Sequence, residues 1–139
     1  MLPRGAQIIR VDGIDLTADG DYQVALSKPT IPAAAAIGDS GLIGRYNDYT
    51  DPTQSTPIFT TTYSYVLVAD TPPSAATAVL QLTIAQAAVG PNAFLTGTNV
   101  ATYRWRIDTS GNPTFLSVAT QVSQGFDQFE DLYTCASGC

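Results

Sequence analysis

The residues of this chain that are able to do chemistry are few, and the histidine most of it needs is absent. Without an imidazole, Ser-His and Cys-His nucleophile activation fall away, and imidazole metal sites go with them. Carboxylates and two cysteines remain. Asp39-Ser40-Gly41 matches the three-residue core of an aspartic protease loop, in which paired carboxylates share one proton. A homodimer would supply the second Asp. Yet Gly38 precedes Asp39, a Pro-rich segment lies upstream and no second signature follows, so a Gly-rich turn with an Asx bond is the simpler expectation. Asp12, Asp15, Asp19 and Asp21 crowd together as the oxygen ligands of a calcium loop do. Their spacing is not that of an EF-hand, and Gly13 and Gly20 beside them make ordinary turn pairs. No catalytic residue, metal or cofactor is expected.

Cys135 and Cys139 are separated only by Ala136-Ser137-Gly138. Two thiolates without other ligands make a poor zinc site. A local disulfide requires a tight turn that brings the two Cα atoms within about 7 Å. Pairing between copies, Cys135 of one to Cys139 of the next, needs no loop closure within one chain and ranks first; local pairing and free thiols stay open. Just upstream, Phe126, Phe129, Leu132 and Tyr133 alternate with Asp127, Glu130 and Asp131. This segment reads as a docking arm, either a short amphipathic helical turn or an extended stretch. Its carboxylates suit a basic patch on a partner, or serve to keep an exposed arm soluble. Arg45, Tyr46 and Tyr49 form a second candidate interface, because Tyr and Arg are enriched at contacts. Trp105 between Arg104 and Arg106 suggests a stacking platform for single-stranded nucleic acid or sugar. Strand alternation, however, sends Trp105 to one face and both arginines to the other, which favours a core Trp.

The elements that would position these residues are strands. Lys28, Glu130 and Met1 are each the only residue of their type, while Thr, Val, Ala, Gly and Pro are plentiful, which is a β composition. Ala6 to Val11 reads as a first strand, and Tyr22, Val24 and Leu26 mark a second. From Pro29 to Pro57, four of the nine prolines and three glycines predict a long structured loop. Ile58 to Ala69 alternates most clearly, ending at Pro72-Pro73. Ala78 to Ala88 favours a strand over a helix by its period of two. Val100 to Ile107 and Thr114 to Val122 make a hairpin around Asp108 to Pro113. The fold class expected is an all-β, antiparallel sandwich or barrel, with arms at about 1–10 and 126–139.

At 139 residues and 45% apolar, the chain is the size of one domain, expected to bury roughly 70% of its unfolded surface. Twelve acidic residues against six basic ones, a net charge of −6, disfavour nucleic acid. No run approaches the ~20 apolar residues of a membrane span. Met1-Leu2-Pro3-Arg4 leads into no apolar signal core. The expectation is a protein made in the cytoplasm with no membrane partner, whose disulfides form once the reducing cytosol is left behind.

A small acidic β domain with few Lys and Glu, no signal sequence and an arm at each end resembles the capsid decoration, or cement, proteins of tailed bacteriophages. The resemblance covers the overall style of the chain rather than a motif. It implies a virion protein on the capsid exterior that binds the major capsid protein and further copies of itself, with Met1 to Arg10 and Phe126 to Cys139 as lattice contacts. Rival readings are a phage tail, collar or fibre protein, a carbohydrate-binding β module with exposed aromatics, and a dimeric aspartic protease using Asp39.

Overall fold

The structure, a computed structural model, describes residues 14–16, 22–50, 53–91 and 93–135. The all-β, antiparallel expectation holds. The strands are β1 (Ile14–Leu16), β2 (Tyr22–Ala25), β3 (Ser40–Tyr49), β4 (Phe59–Ser74), β5 (Thr77–Ala88), β6 (Thr98–Asp108), β7 (Pro113–Gln124) and β8 (Asp127–Thr134). A single helical turn, α1 (Ala93–Thr96), links β5 to β6. All eight strands lie in one sheet in chain order, each antiparallel to its neighbours.

Where side chains alternate cleanly, the chain pairs as its pattern dictates. Leu80, Leu82 and Ile84 of β5 stand opposite Trp105, Tyr103 and Ala101 of β6, so these residues share one face, here called the aromatic face. Val79, Gln81 and Thr83 stand opposite Arg106, Arg104 and Thr102 on the other. The strand reading of Ala78 to Ala88 is therefore right, and the alanines do not make a helix. At the β6–β7 turn Asp108 closes the loop, its carboxylate accepting from the backbone N–H of Ser110 at 2.8 Å and of Asn112 at 2.9 Å.

The loop expected from Pro29 to Pro57 is a correction. β3 occupies its centre, and the glycines that argued against a strand are what allow this one. Gly41 stands opposite Tyr65, and a Cβ there would come 3.0 Å from the Tyr65 ring; one on Gly44 would come 3.1 Å from the Tyr46 ring. The register shift between Leu42 and Gly44 inserts Ile43 as an extra residue, bringing Gly41 and Gly44, three apart, to the same face. Pro72-Pro73 likewise does not end β4, which runs on to Ser74. Ladder pairing lapses between Ala69 and Ser74, the stretch that holds these two residues without a backbone N–H.

Two further expectations change. The described part of the segment expected as an arm, 126–135, does not leave the body: β8 folds back on β7 through the two-residue link Gly125–Phe126, with Gln124 opposite Asp127. Its period of two, hidden by aromatics spaced at three, is completed by the ladder. Residues 1–10 and the expected strand Ala6 to Val11 lie outside the described residues, as do Asp12, Asp19 and Asp21. Nor is the core of ordinary size. Among the described residues only Tyr46, Tyr63 and Val79 are buried apolar side chains, and the described strands all lie in one sheet, whose faces need a packed neighbour to become a core.

Candidate functional site

The most enclosed polar side chains gather where β2, β3, β4 and β5 meet on the aromatic face. Tyr46 and Tyr63 pack edge to face with ring centroids 5.2 Å apart, and both are buried. The Tyr63 hydroxyl donates to Gln23 Oε1 at 3.0 Å. Asp48, also buried, accepts from the Thr61 hydroxyl and, at 3.0 Å, from Gln86 Nε2. Register puts these groups together, since Gln23 pairs with Asp48, Tyr46 with Thr61 and Thr61 with Gln86. Burying a carboxylate is costly unless hydrogen bonds replace its water, and the hydroxyl and amide donors supply two such bonds, both to Oδ2.

Beside this network opens a cleft of about 430 Å3, lined by Gln23, Thr61, Ile84, Gln86, Asn99, Ala101 and Tyr103. Its far wall is aromatic. Tyr103 and Trp105 stack with centroids 5.5 Å apart and planes 11° from parallel. Trp105 meets Phe115 edge-on at 6.2 Å, and Phe115 stacks on Tyr133 at 6.4 Å. Phe115 reaches this row because a register shift on β7 inserts Leu116 between it and Ser117, the partner of Arg104. Sequence reading assigned no role to Gln23, Gln86, Asn99, Ala101 or Tyr103; they come from three strands, β2, β5 and β6, and only register shows that they converge.

Trp105 does lie opposite Arg104 and Arg106, as alternation requires, although it is half-buried in an aromatic row rather than enclosed in a core. On the other face, Arg106 holds Asp70 with Nε 2.6 Å from Oδ2 and Nη2 3.1 Å from Oδ1. Thr77 Oγ1 and the Thr71 backbone N–H add bonds of 2.7 and 2.8 Å. The hydrogen bonds from Arg106 first, then from Thr77, hold the Asp70 carboxyl far below the ordinary carboxylate range.

Of the predicted interface residues, Arg45 is exposed on β3 and Tyr49 is half-buried. Tyr46 is corrected: it is 3% exposed, because its β3 position turns it against Tyr63, so it offers no surface to a partner. β8 is the sheet's last strand, with β7 as its neighbour, and every one of its residues is exposed. Phe129, Leu132 and Tyr133 are 59%, 70% and 59% exposed. Glu130 accepts from Gln121 Nε2 at 2.7 Å. Phe126, in the turn, meets Phe94 of α1 edge to face at 5.3 Å. Cys135 is disulfide-bonded; Cys139 lies outside the described residues.

Asp39 occupies a turn, its Oδ2 accepting from the Ala36 N–H at 2.7 Å. Its carbonyl accepts from Leu67 N at 2.8 Å. Among the described residues no group of three or more His, Cys, Asp or Glu side chains is arranged to hold a metal, and no helix is long and apolar enough to cross a membrane.

No protein-family model matches the chain, and no curated protein and no solved structure matches it either.

Proposed function

We propose that this chain is a structural virion protein that binds the outer surface of a viral capsid lattice and stabilises it, contacting a neighbouring subunit through β8. The observation that carries this reading is β8 itself. Among the described residues it is an open sheet edge, eight exposed residues long, and an open edge presents unpaired N–H and C=O groups to any extended segment that arrives. Its exposed Phe129, Leu132 and Tyr133 supply apolar contact, while Asp127, Glu130 and Asp131 set the charge.

That charge restricts the partner. If β8 paired antiparallel with β8 of a second copy along its full length, Glu130 would face Asp131 twice, and like charges directly opposite are destabilising. The fitting occupant is a neutral or basic strand. Residues 1–11 of a neighbouring copy carry Arg4 and Arg10 and no acidic residue, and a basic strand of the major capsid protein fits equally. In this reading a covalent latch between copies requires the disulfide that Cys135 makes in the single chain to exchange to a neighbouring copy.

The test is co-sedimentation of the purified protein with capsids of the virus that encodes it. Saturable binding in fixed ratio to the capsid protein, lost in Phe129→Ser/Leu132→Ser, is expected; a protein that stays in the supernatant sinks the proposal. Gels of the assembled material run with and without reductant address the latch. A ladder that collapses to monomer with reductant supports it, and an unchanged monomer band removes it.

A further inference from the structure

The cleft on the aromatic face suits one class of ligand by its chemistry. Successive residues on one face of a strand are about 6.8 Å apart, so the near-parallel Tyr103 and Trp105 rings stand side by side along β6 with one face of Tyr103 against Trp105. The other face of Tyr103 looks along the strand toward Ala101, the preceding residue on that side, and both line the cleft. A methyl group at Ala101, flanked in register by Ile84 and Thr120, is what leaves the slot open. Across it stand planar amides. Gln86 spends Nε2 on Asp48, which fixes the side chain and leaves its carbonyl oxygen as an acceptor. Asn99 stands beside it in register at the exposed end.

We infer that this cleft binds a neutral pyranose unit of a saccharide, its C–H face on Tyr103 and its hydroxyls on Gln86 and Asn99. A sugar ring has an apolar face and a rim of hydroxyls that both donate and accept, and aromatic wall and amide rim match these two surfaces. The cleft volume lies within the range of small-molecule sites, roughly 300 to 1,000 Å3. Neutrality follows from charge: Asp48 sits directly behind Thr61 and Gln86, no basic side chain lines the cleft, and the chain carries −6 overall. A carboxylated or sulfated sugar meets only repulsion there. This site does not depend on the assembly reading, since it uses β2, β4, β5 and β6 and not the β8 edge.

Trp105, the chain's one tryptophan, stacks behind the binding wall and reports on it. The full-length protein is titrated with maltose, cellobiose, lactose and chitobiose up to about 20 mM, followed by Trp fluorescence and by backbone amide NMR shifts at residues 99–103. At least one disaccharide is expected to bind saturably with a Kd of order 1 mM, and Tyr103→Ala to weaken it about tenfold or more. Ala101→Val is the second variant, because a β-branched residue suits a strand while filling the slot. It is expected to keep the amide spectrum of a folded sheet and lose binding. Absence of a saturable response to all four sugars overturns the inference, and so does binding that survives Ala101→Val. Tighter binding of sialyllactose than of lactose overturns the requirement for a neutral sugar.

Discussion

Arg106 grips Asp70 through two parallel bonds, Nε to Oδ2 at 2.6 Å and Nη2 to Oδ1 at 3.1 Å, across the width of β5. Two-point contact fixes both side chains in a way a single bond does not, and Asp70 is buried while Arg106 keeps part of its guanidinium in water. The pair ties β4 to β6 and is anchored from below by Thr77 of β5.

The pair makes stability acid-sensitive. In the unfolded chain Asp70 titrates near pH 4, whereas the hydrogen bonds from Arg106 and Thr77 lower it well beneath that in the fold. Below about pH 4 the unfolded chain therefore takes up a proton that the folded chain refuses, and stability falls as the pH drops. Asp108, lowered by its bonds from Asn112 first, adds to the slope with the same sign. Urea unfolding between about pH 2 and pH 7 should show the midpoint falling at the acid end, and Asp70→Asn should be less stable at neutral pH with a shallower acid slope. An unchanged slope in Asp70→Asn would show that Asp70 is not its source.

Gly97 and Gly111 separate backbone strain from collision. Both have positive φ, +86° and +83°, but a Cβ on Gly97 would lie 1.8 Å from the Ser123 carbonyl oxygen while one on Gly111 meets nothing within 4 Å. Gly111→Ala should cost about 1 kcal/mol, the strain of placing a side chain in left-handed backbone. Gly97→Ala should cost several times more, because β7 must move away, and thermal unfolding of the two variants reads the difference directly.

Tyr63→Phe tests the buried network. Removing the hydroxyl leaves Gln23 Oε1 without its donor, in a side chain that is itself buried, and should cost about 1–3 kcal/mol in denaturant melts. Val79→Ala, on the opposite face at 1% exposure, should cost about 2 kcal/mol through lost burial and the cavity left behind. Equal wild-type stability in Tyr63→Phe would mean that water replaces the hydroxyl without loss.

Glu130→Lys/Asp131→Lys tests the edge strand. Both residues are exposed, so chemical stability should change by no more than roughly 0.5 kcal/mol per site. Capsid attachment should be lost if a basic strand is the partner, since attraction becomes repulsion across the new ladder. Retained attachment would mean that the strand on β8 is neutral or that the contact lies on another surface, and loss of attachment in Phe129→Ser/Leu132→Ser separates the two.

Legibility in the sequence followed the strength of alternation. Ile58 to Ala69, Val100 to Ile107 and the Asp108 to Pro113 turn were readable because apolar and polar residues switch faces at every step there. β3 was not, because Gly41 and Gly44 lend no hydrophobic signal and reveal their purpose only beside the Tyr65 and Tyr46 rings. Tyr46 was misjudged for the same reason: without β3, its inward direction has no basis. β8 was seen as a docking segment but not as a strand, since its own pattern is weak and β7 supplies the template. The cleft was invisible because Gln23, Gln86, Asn99 and Tyr103 are unremarkable alone and acquire meaning from the register of five strands.

Because strand order in the sheet repeats strand order in the chain, each strand's partner is the one made just before it. Contacts so local require only short loop closures, which favours rapid folding. A chain leaving the ribosome can add strands one at a time to a growing edge, with β8 the last to arrive. The edge offered to a partner is thus completed only after the other seven described strands have been made, which delays association until they are in place.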